Sequence, residues 1–192
     1  MYYSIEEMLE FIDEPNRSAC KKLLGDNRAL FQTVQGSTHN HQAWKGGYWD
    51  HIQEAMNRGV FYYRIEEKET GRRYAFTLSS LLLVLFVHDI EKPWSYELDE
   101  KGEARRKPDL ASKATQHEFR NQKLKKYAIT LTPEEQNAMK YVEDEHNDYT
   151  NKRRVMNELA GLCHICDVYS ARVGHDCPRE TGETWGSRLY KK

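Results

Sequence analysis

The run Leu81-Leu82-Leu83-Val84-Leu85-Phe86-Val87 is the longest apolar stretch of the 192-residue chain, and His88 and Asp89 follow it at once. A run this short falls far below the roughly 20 residues that a bilayer span needs. Its continuous Leu, Val and Phe content instead predicts a helix over about residues 79–89, buried as the centre of a globular domain. Thr77 or Ser79 is placed to cap its start, and Pro93 to stop it. An imidazole and a carboxylate then emerge where water is scarce, and a buried carboxylate is costly unless it meets a cation.

Around this centre the remaining patterns predict a mainly α chain, one domain over 1–173 and a tail over 174–192. Short helices are expected near Ser4 to Ile12 and Arg17 to Leu24. A third begins after Gly46-Gly47, carries Tyr48, His51, Ile52 and Ala55 on one face, and ends near Gly59. Residues 60–77, around Lys68-Glu69-Thr70-Gly71, read as a small β-hairpin or an irregular excursion. A turn is expected at Asp99 to Gly102, then helices over Asp109 to Tyr127, Pro133 to Glu145 and Arg153 to Val173. Thr132-Pro133-Glu134-Glu135 opens the second of these three as a capping box with proline at the first helical position. The last one turns Val155, Leu159, Leu162, Cys166 and Tyr169 inward.

Hydrophobic residues at 39% and charged residues at 31% exclude a disordered chain. A net charge of −1 argues against coating nucleic acid by bulk electrostatics, so a phosphorylated partner is expected to be small or short. The start, Met1-Tyr2-Tyr3-Ser4-Ile5-Glu6-Glu7, does not read as a signal peptide, and the expectation is a cytoplasmic protein without membrane contact. Cysteines 20, 163, 166 and 177 are then expected reduced. Cys163-x-x-Cys166 lacks a second pair at zinc-ribbon spacing, which makes inert helix thiols the favoured reading.

Histidines and acids recur on apolar faces. His51 shares a face with Tyr48 and Ala55; His88 lies one turn after Val84 and Leu85; His117 follows Ala114; His146 follows Val142; Asp167 stands four residues after Cys163. Singly, each suits a hydrogen-bonded core residue. Together they point to convergence on a divalent cation, and mixed imidazole and carboxylate donors suit Mn²⁺, Fe²⁺, Ni²⁺, Co²⁺ or Zn²⁺ better than Ca²⁺. His41 and Lys45 lie just before the Gly46-Gly47 helix start, where backbone N–H groups can hold phosphate; surface residues are the equal alternative. Arg105-Arg106-Lys107, Lys123 with Lys125-Lys126, and Lys152-Arg153-Arg154 are candidates for an entrance, or solvated faces.

Phe86-Val87-His88-Asp89-Ile90-Glu91-Lys92 resembles the signature of the HD superfamily of metal-dependent phosphohydrolases. His41-Gln42-Ala43-Trp44-Lys45-Gly46-Gly47-Tyr48-Trp49-Asp50-His51 resembles a segment of the HD branch that includes bacterial 3′-to-5′ exoribonucleases. The likeness continues through Gln116-His117 and Glu145-His146 to Ile165-Cys166-Asp167-Val168-Tyr169-Ser170-Ala171, spanning residues 31–172. It implies a single HD-type helical bundle holding one or two divalent transition metals. His51, His88, Asp89 and Asp167 would bind the first ion, with Asp89 bridging to a second held by His117 and His146. Asp89 and Lys92 would be catalytic, Lys92 steadying phosphate, in hydrolysis of a nucleotide, cyclic nucleotide or short oligonucleotide by metal-activated water. Relatives with the same ligands also imply an alternative, a mixed-valent di-iron oxygenase; a non-catalytic module that binds a nucleotide or a partner is a third reading, against which the intact set of ligands argues. Glu91 replaces the usual glycine of the signature, and Glu145 stands where many relatives have histidine. The nucleic-acid-binding module of the exoribonucleases has no counterpart in the sequence, so processive RNA degradation is not expected.

Overall fold

The structure, a computed structural model, describes residues 2–37, 41–98, 100 and 104–173. The expected tail over 174–192 and most of the expected turn at Asp99 to Gly102 lie outside the described residues. The chain is mainly helical with one two-stranded antiparallel sheet among the described residues.

The central helix forms as the sequence dictates. It spans Leu78–Val87, labelled α4, with Leu81 to Val87 all buried, and the Thr77 hydroxyl accepts the Ser80 N–H at 3.1 Å. The short α1 (Ile5–Leu9) and the sixteen-residue α2 (Asn16–Phe31), which runs past the expected end at Leu24, precede the next helix. Helix α3 (Gly47–Thr70) and helix α8 (Glu158–Val173) pack on α4 and on each other, and α1 and α7 (Pro133–Tyr141) close the remaining sides. Pro93 does not stop α4: it sits in the first turn of a separate short helix, α5 (Lys92–Ser95), after a turn at His88 to Glu91. Among the described residues no helix is long and apolar enough to cross a membrane.

Helix α3 corrects two expectations. It does not end at Gly59, and residues 60–70 form no hairpin; the helix runs on to Gly71, whose positive φ of 70° makes the cap. Gly59 is there because α4 is close. A Cβ at this position would lie 2.7 Å from Leu85 Cδ1 and 3.3 Å from Leu81 Cδ2, so the missing side chain sets the spacing of the two helices. Val60 is still buried and Tyr62 and Tyr63 pack against the core, but beyond them α3 becomes mostly exposed, and polar residues there reflect solvation rather than strand alternation. The actual hairpin pairs β1 (Tyr96–Leu98) with β2 (Ala104–Arg106), matching Tyr96 with Arg106 and Glu97 with Arg105. Helix α6 (Lys113–Lys126) follows a 3₁₀ turn at Pro108–Leu110. The capping box of α7 is present in both halves, with Thr132 and Glu135 exchanging bonds of 3.2 and 2.8 Å.

Candidate metal centre

Three helices deliver four donors. His51 lies on the inner face of α3 one turn after Tyr48, His88 and Asp89 occupy the turn leaving α4, and Asp167 lies on α8 one turn after Cys163. One donor atom from each of the four lies within 4.8 Å of all the others, and the first three residues are buried. His51 Nε2 is 3.4 Å from His88 Nε2, 3.4 Å from Asp89 Oδ2 and 3.1 Å from Asp167 Oδ1. His88 Nε2 is 3.4 Å from Asp89 Oδ2 and 3.5 Å from Asp167 Oδ1. Metal–ligand bonds of about 2.0–2.2 Å put neighbouring donors roughly 3.0 Å apart at right angles and roughly 3.4 Å apart in a tetrahedron. The spacings of the two imidazole nitrogens from each other and from the carboxylate oxygens, 3.1–3.5 Å, are close to these values, and the donor set can hold a metal ion.

The surroundings aim these atoms. His88 Nδ1 lies 2.8 Å from the Leu85 carbonyl, which can only accept, so Nδ1 carries a proton and Nε2 is the nitrogen turned to the cluster. Gln42 Nε2 donates to the Ser170 carbonyl at 2.7 Å and ties the loop bearing His41 to α8. The His41 ring sits 5.6 Å from that of His51, and its buried Nε2 meets no hydrogen-bond partner among the described residues. Lys92 forms an ion pair with Asp89, one helical turn away.

Charge and burial compete here. Burial pushes Asp89 up, yet Lys92 and His88 outweigh it and hold the carboxyl well below its usual range. Asp167 is likewise lowered against its burial, by hydrogen bonds from His51 and His88. Burial acts on His88 in the opposite sense to Asp89 and Asp167, whose charges prevail and raise it to about 9. Burial first, then Lys92 and His51, push His41 down to about 4, so it stays neutral. Two ionised carboxylates in so little water demand cations.

Of the six residues expected to bind metal, the structure gathers His51, His88, Asp89 and Asp167. It does not bring His117 to them. His117 is exposed on α6 and lines a separate surface groove with Leu124, Leu131 and Met139. The face that α6 turns inward carries Gln116 and Arg120 instead. The side chain of His146 lies outside the described residues. Lys45 is exposed and away from the cavity walls, whereas His41 and Lys92 line a cavity of about 320 Å³ above the cluster.

Two features of this cavity escaped the sequence reading. Glu91 is committed to a buried ion pair: Arg120 Nε lies 3.1 Å from its Oε2, with side chains only 4% and 3% exposed. Glu143, also on the cavity wall, pairs with Lys113. Of the three adjacent basic residues 105–107, only Arg106 reaches the cavity; Arg105 pairs with Glu97 at 2.9 Å, and Lys107 lines another groove. Cys163 and Cys166 are buried free thiols pushed up by desolvation.

Comparison with known proteins adds no relative: no family profile, curated protein or solved structure matches the chain. The class defined by the residues themselves is a helical domain with a candidate metal centre at the base of a charged cavity.

Proposed function

We propose that the protein is an HD-type hydrolase of phosphoesters working with one divalent transition-metal ion held by His51, His88, Asp89 and Asp167. The observation that carries this reading is convergence. Four residues singled out by a sequence pattern, drawn from segments as far apart as 51 and 167, place donor atoms within 4.8 Å of one another. Chance placement of buried acids and imidazoles does not favour such a meeting.

What surrounds the four among the described residues supports a reading with one ion rather than two. Glu91 and Glu143, the other carboxylates on the cavity wall among the described residues, are paired with Arg120 and Lys113, and His117 faces elsewhere. A di-iron oxygenase needs a second set of ligands, so this arrangement favours hydrolysis.

A divalent ion supplies Lewis acidity, acidifying water and offsetting charge on a phosphoryl group. The chain supplies the rest. Lys92, fixed by Asp89, holds a positive charge against the phosphoryl oxygens as negative charge grows on them. Neutral His41 offers its unpaired Nε2 to a bound phosphate or to the departing oxygen. Nucleotides, cyclic nucleotides and short oligonucleotides are the substrates to examine first, with a cytoplasmic location.

Metal analysis of the purified protein, followed by a screen of such compounds with Mn²⁺, Fe²⁺, Ni²⁺, Co²⁺ or Zn²⁺ added, tests the proposal. The expected result is close to one tightly held ion per chain and metal-dependent release of phosphate or mononucleotide. A protein that binds none of these ions, and gains no thermal stability from them, overturns it.

A further inference from the structure

We infer that the group bound over the metal candidates is a phosphomonoester in its dianionic form rather than a phosphodiester. This rests on the single-ion reading above and goes further, to the charge and connectivity of the substrate.

Most charges of the cavity wall pair off. The two charges of a divalent ion match Asp89 and Asp167. Glu91 is neutralised by Arg120 at 3.1 Å and Glu143 by Lys113. Arg172, also on the wall, is already engaged and is left out of the balance. Lys92, which shares Asp89 with the ion, and Arg106 remain, two positive charges facing one cavity. A phosphomonoester carries about −1.5 to −2 at neutral pH, whereas an internal diester carries a single negative charge. The monoester dianion matches both cations, whereas the diester leaves the half-buried Arg106 without a countercharge.

Arg106 owes its position to strand geometry. Directly opposed residues of a β-ladder share a face and successive residues alternate, so Arg106 stands beside Tyr96 while Arg105 turns to the other side and pairs with Glu97. The Arg106 guanidinium lies 5.6 Å from the centre of the Tyr96 ring, and Nη2 is 3.4 Å from the Tyr96 hydroxyl oxygen. Among the described residues no carboxylate pairs with it. The hairpin is itself fastened to the centre, since Lys107 N–H donates to the Ser95 carbonyl and the Ser95 hydroxyl to the Glu91 carbonyl, both at 2.8 Å. On the inner side Glu91 and Gln116 are 2% and 4% exposed and close the wall. A monoester, with one substituent, needs only the outward path.

The reaction balances without a redox partner. Water oxygen forms the new bond to phosphorus, the ester P–O bond breaks, and the departing oxygen takes one proton of the water. The products are an alcohol and inorganic phosphate.

Calorimetry on the metal-loaded protein, with phenylphosphonate and its methyl monoester, tests the charge directly at a pH where the first is a dianion. The dianion should bind at least about tenfold tighter. Arg106→Gln should remove most of that preference, and Arg105→Gln, on the other face of the same hairpin, should leave it intact. Metal content should not change in either variant. In parallel, p-nitrophenyl phosphate should be hydrolysed in preference to bis(p-nitrophenyl) phosphate. Equal or tighter binding of the monoester anion, or hydrolysis of the diester at least as fast, overturns the inference. Retained dianion preference without hydrolysis of any compound supports it and counts against the catalytic proposal alone.

Discussion

On one side of the cavity His51, His88, Asp89 and Asp167 point their donor atoms at a common centre; on the other, Glu91 and Glu143 are taken up by Arg120 and Lys113. Both sides hold carboxylates that are buried or half-buried, and both need positive charge to offset them. They differ in where that charge comes from. The Arg120 guanidinium is a planar fork that the chain supplies and that spreads its hydrogen bonds over a fan. Imidazole nitrogens and carboxylate oxygens converging within a few ångströms leave room at their focus for a point charge instead. Buried acids alone therefore do not mark a metal site. Convergence of the donors does.

The largest effect should come from Asp89→Ala, which removes one of the four converging donors together with the partner of Lys92. We expect bound metal to fall to background and phosphoester hydrolysis to fall below detection, with the helical circular dichroism spectrum retained. Normal turnover per folded molecule would abolish the distinction between the two sides of the cavity. Next in size is Arg120→Met. It strands the Glu91 carboxylate in the core and should lower stability by about 3–5 kcal/mol in urea denaturation, whereas the double variant Glu91→Met, Arg120→Met should recover most of the loss. If the double variant gains a second metal site, the assignment of a purely internal ion pair is wrong.

A smaller effect sharpens the comparison through the backbone. Gly59→Ala inserts a methyl group 2.7 Å from Leu85 Cδ1, and overpacking of about 1–3 kcal/mol is partly offset by the roughly 1 kcal/mol that alanine gains in a helix. The net loss should be about 0–2 kcal/mol. Because α3 and α4 carry His51 and His88, metal affinity measured by calorimetry should weaken as well; an unchanged affinity would show that helix spacing does not set the donor geometry. His117→Ala should do least, leaving metal content unaltered and stability within about 0.5 kcal/mol, as for other exposed positions. Loss of a bound ion from that variant would restore His117 as a ligand.

The sequence makes the metal candidates legible to the extent that they sit on apolar periodic faces. His51 follows Tyr48 and precedes Ala55, and Asp167 shares its helix with Cys163 and Cys166, all buried, so the pattern of apolar neighbours reveals which way each side chain points. Helix α6 has no such pattern. Its buried stripe is Gln116, Arg120 and Leu124, two polar residues and one leucine, and nothing in the composition says that Gln116 rather than the adjacent His117 faces inward. Only the partner, Glu91, explains how Arg120 can be buried, and Glu91 is 29 residues away. Gly59 fails for a related reason: a glycine that ends a helix and one that admits a neighbouring helix look alike in one dimension. The true hairpin has strands of three residues, too short for alternation to register.

Helix α4 also bears on the centre through its peptide groups. Its ten residues end at the turn bearing His88 and Asp89, so the carbonyl end of the aligned backbone dipoles abuts the cluster. A helix end of this kind carries about half a unit of negative charge, and with Leu81 to Val87 buried little solvent screens it. Part of the attraction for a cation then belongs to no side chain. Substituting each ligand in turn would leave this backbone field in place, and the leucine-rich run that anchors the fold would still bias the site toward positive charge.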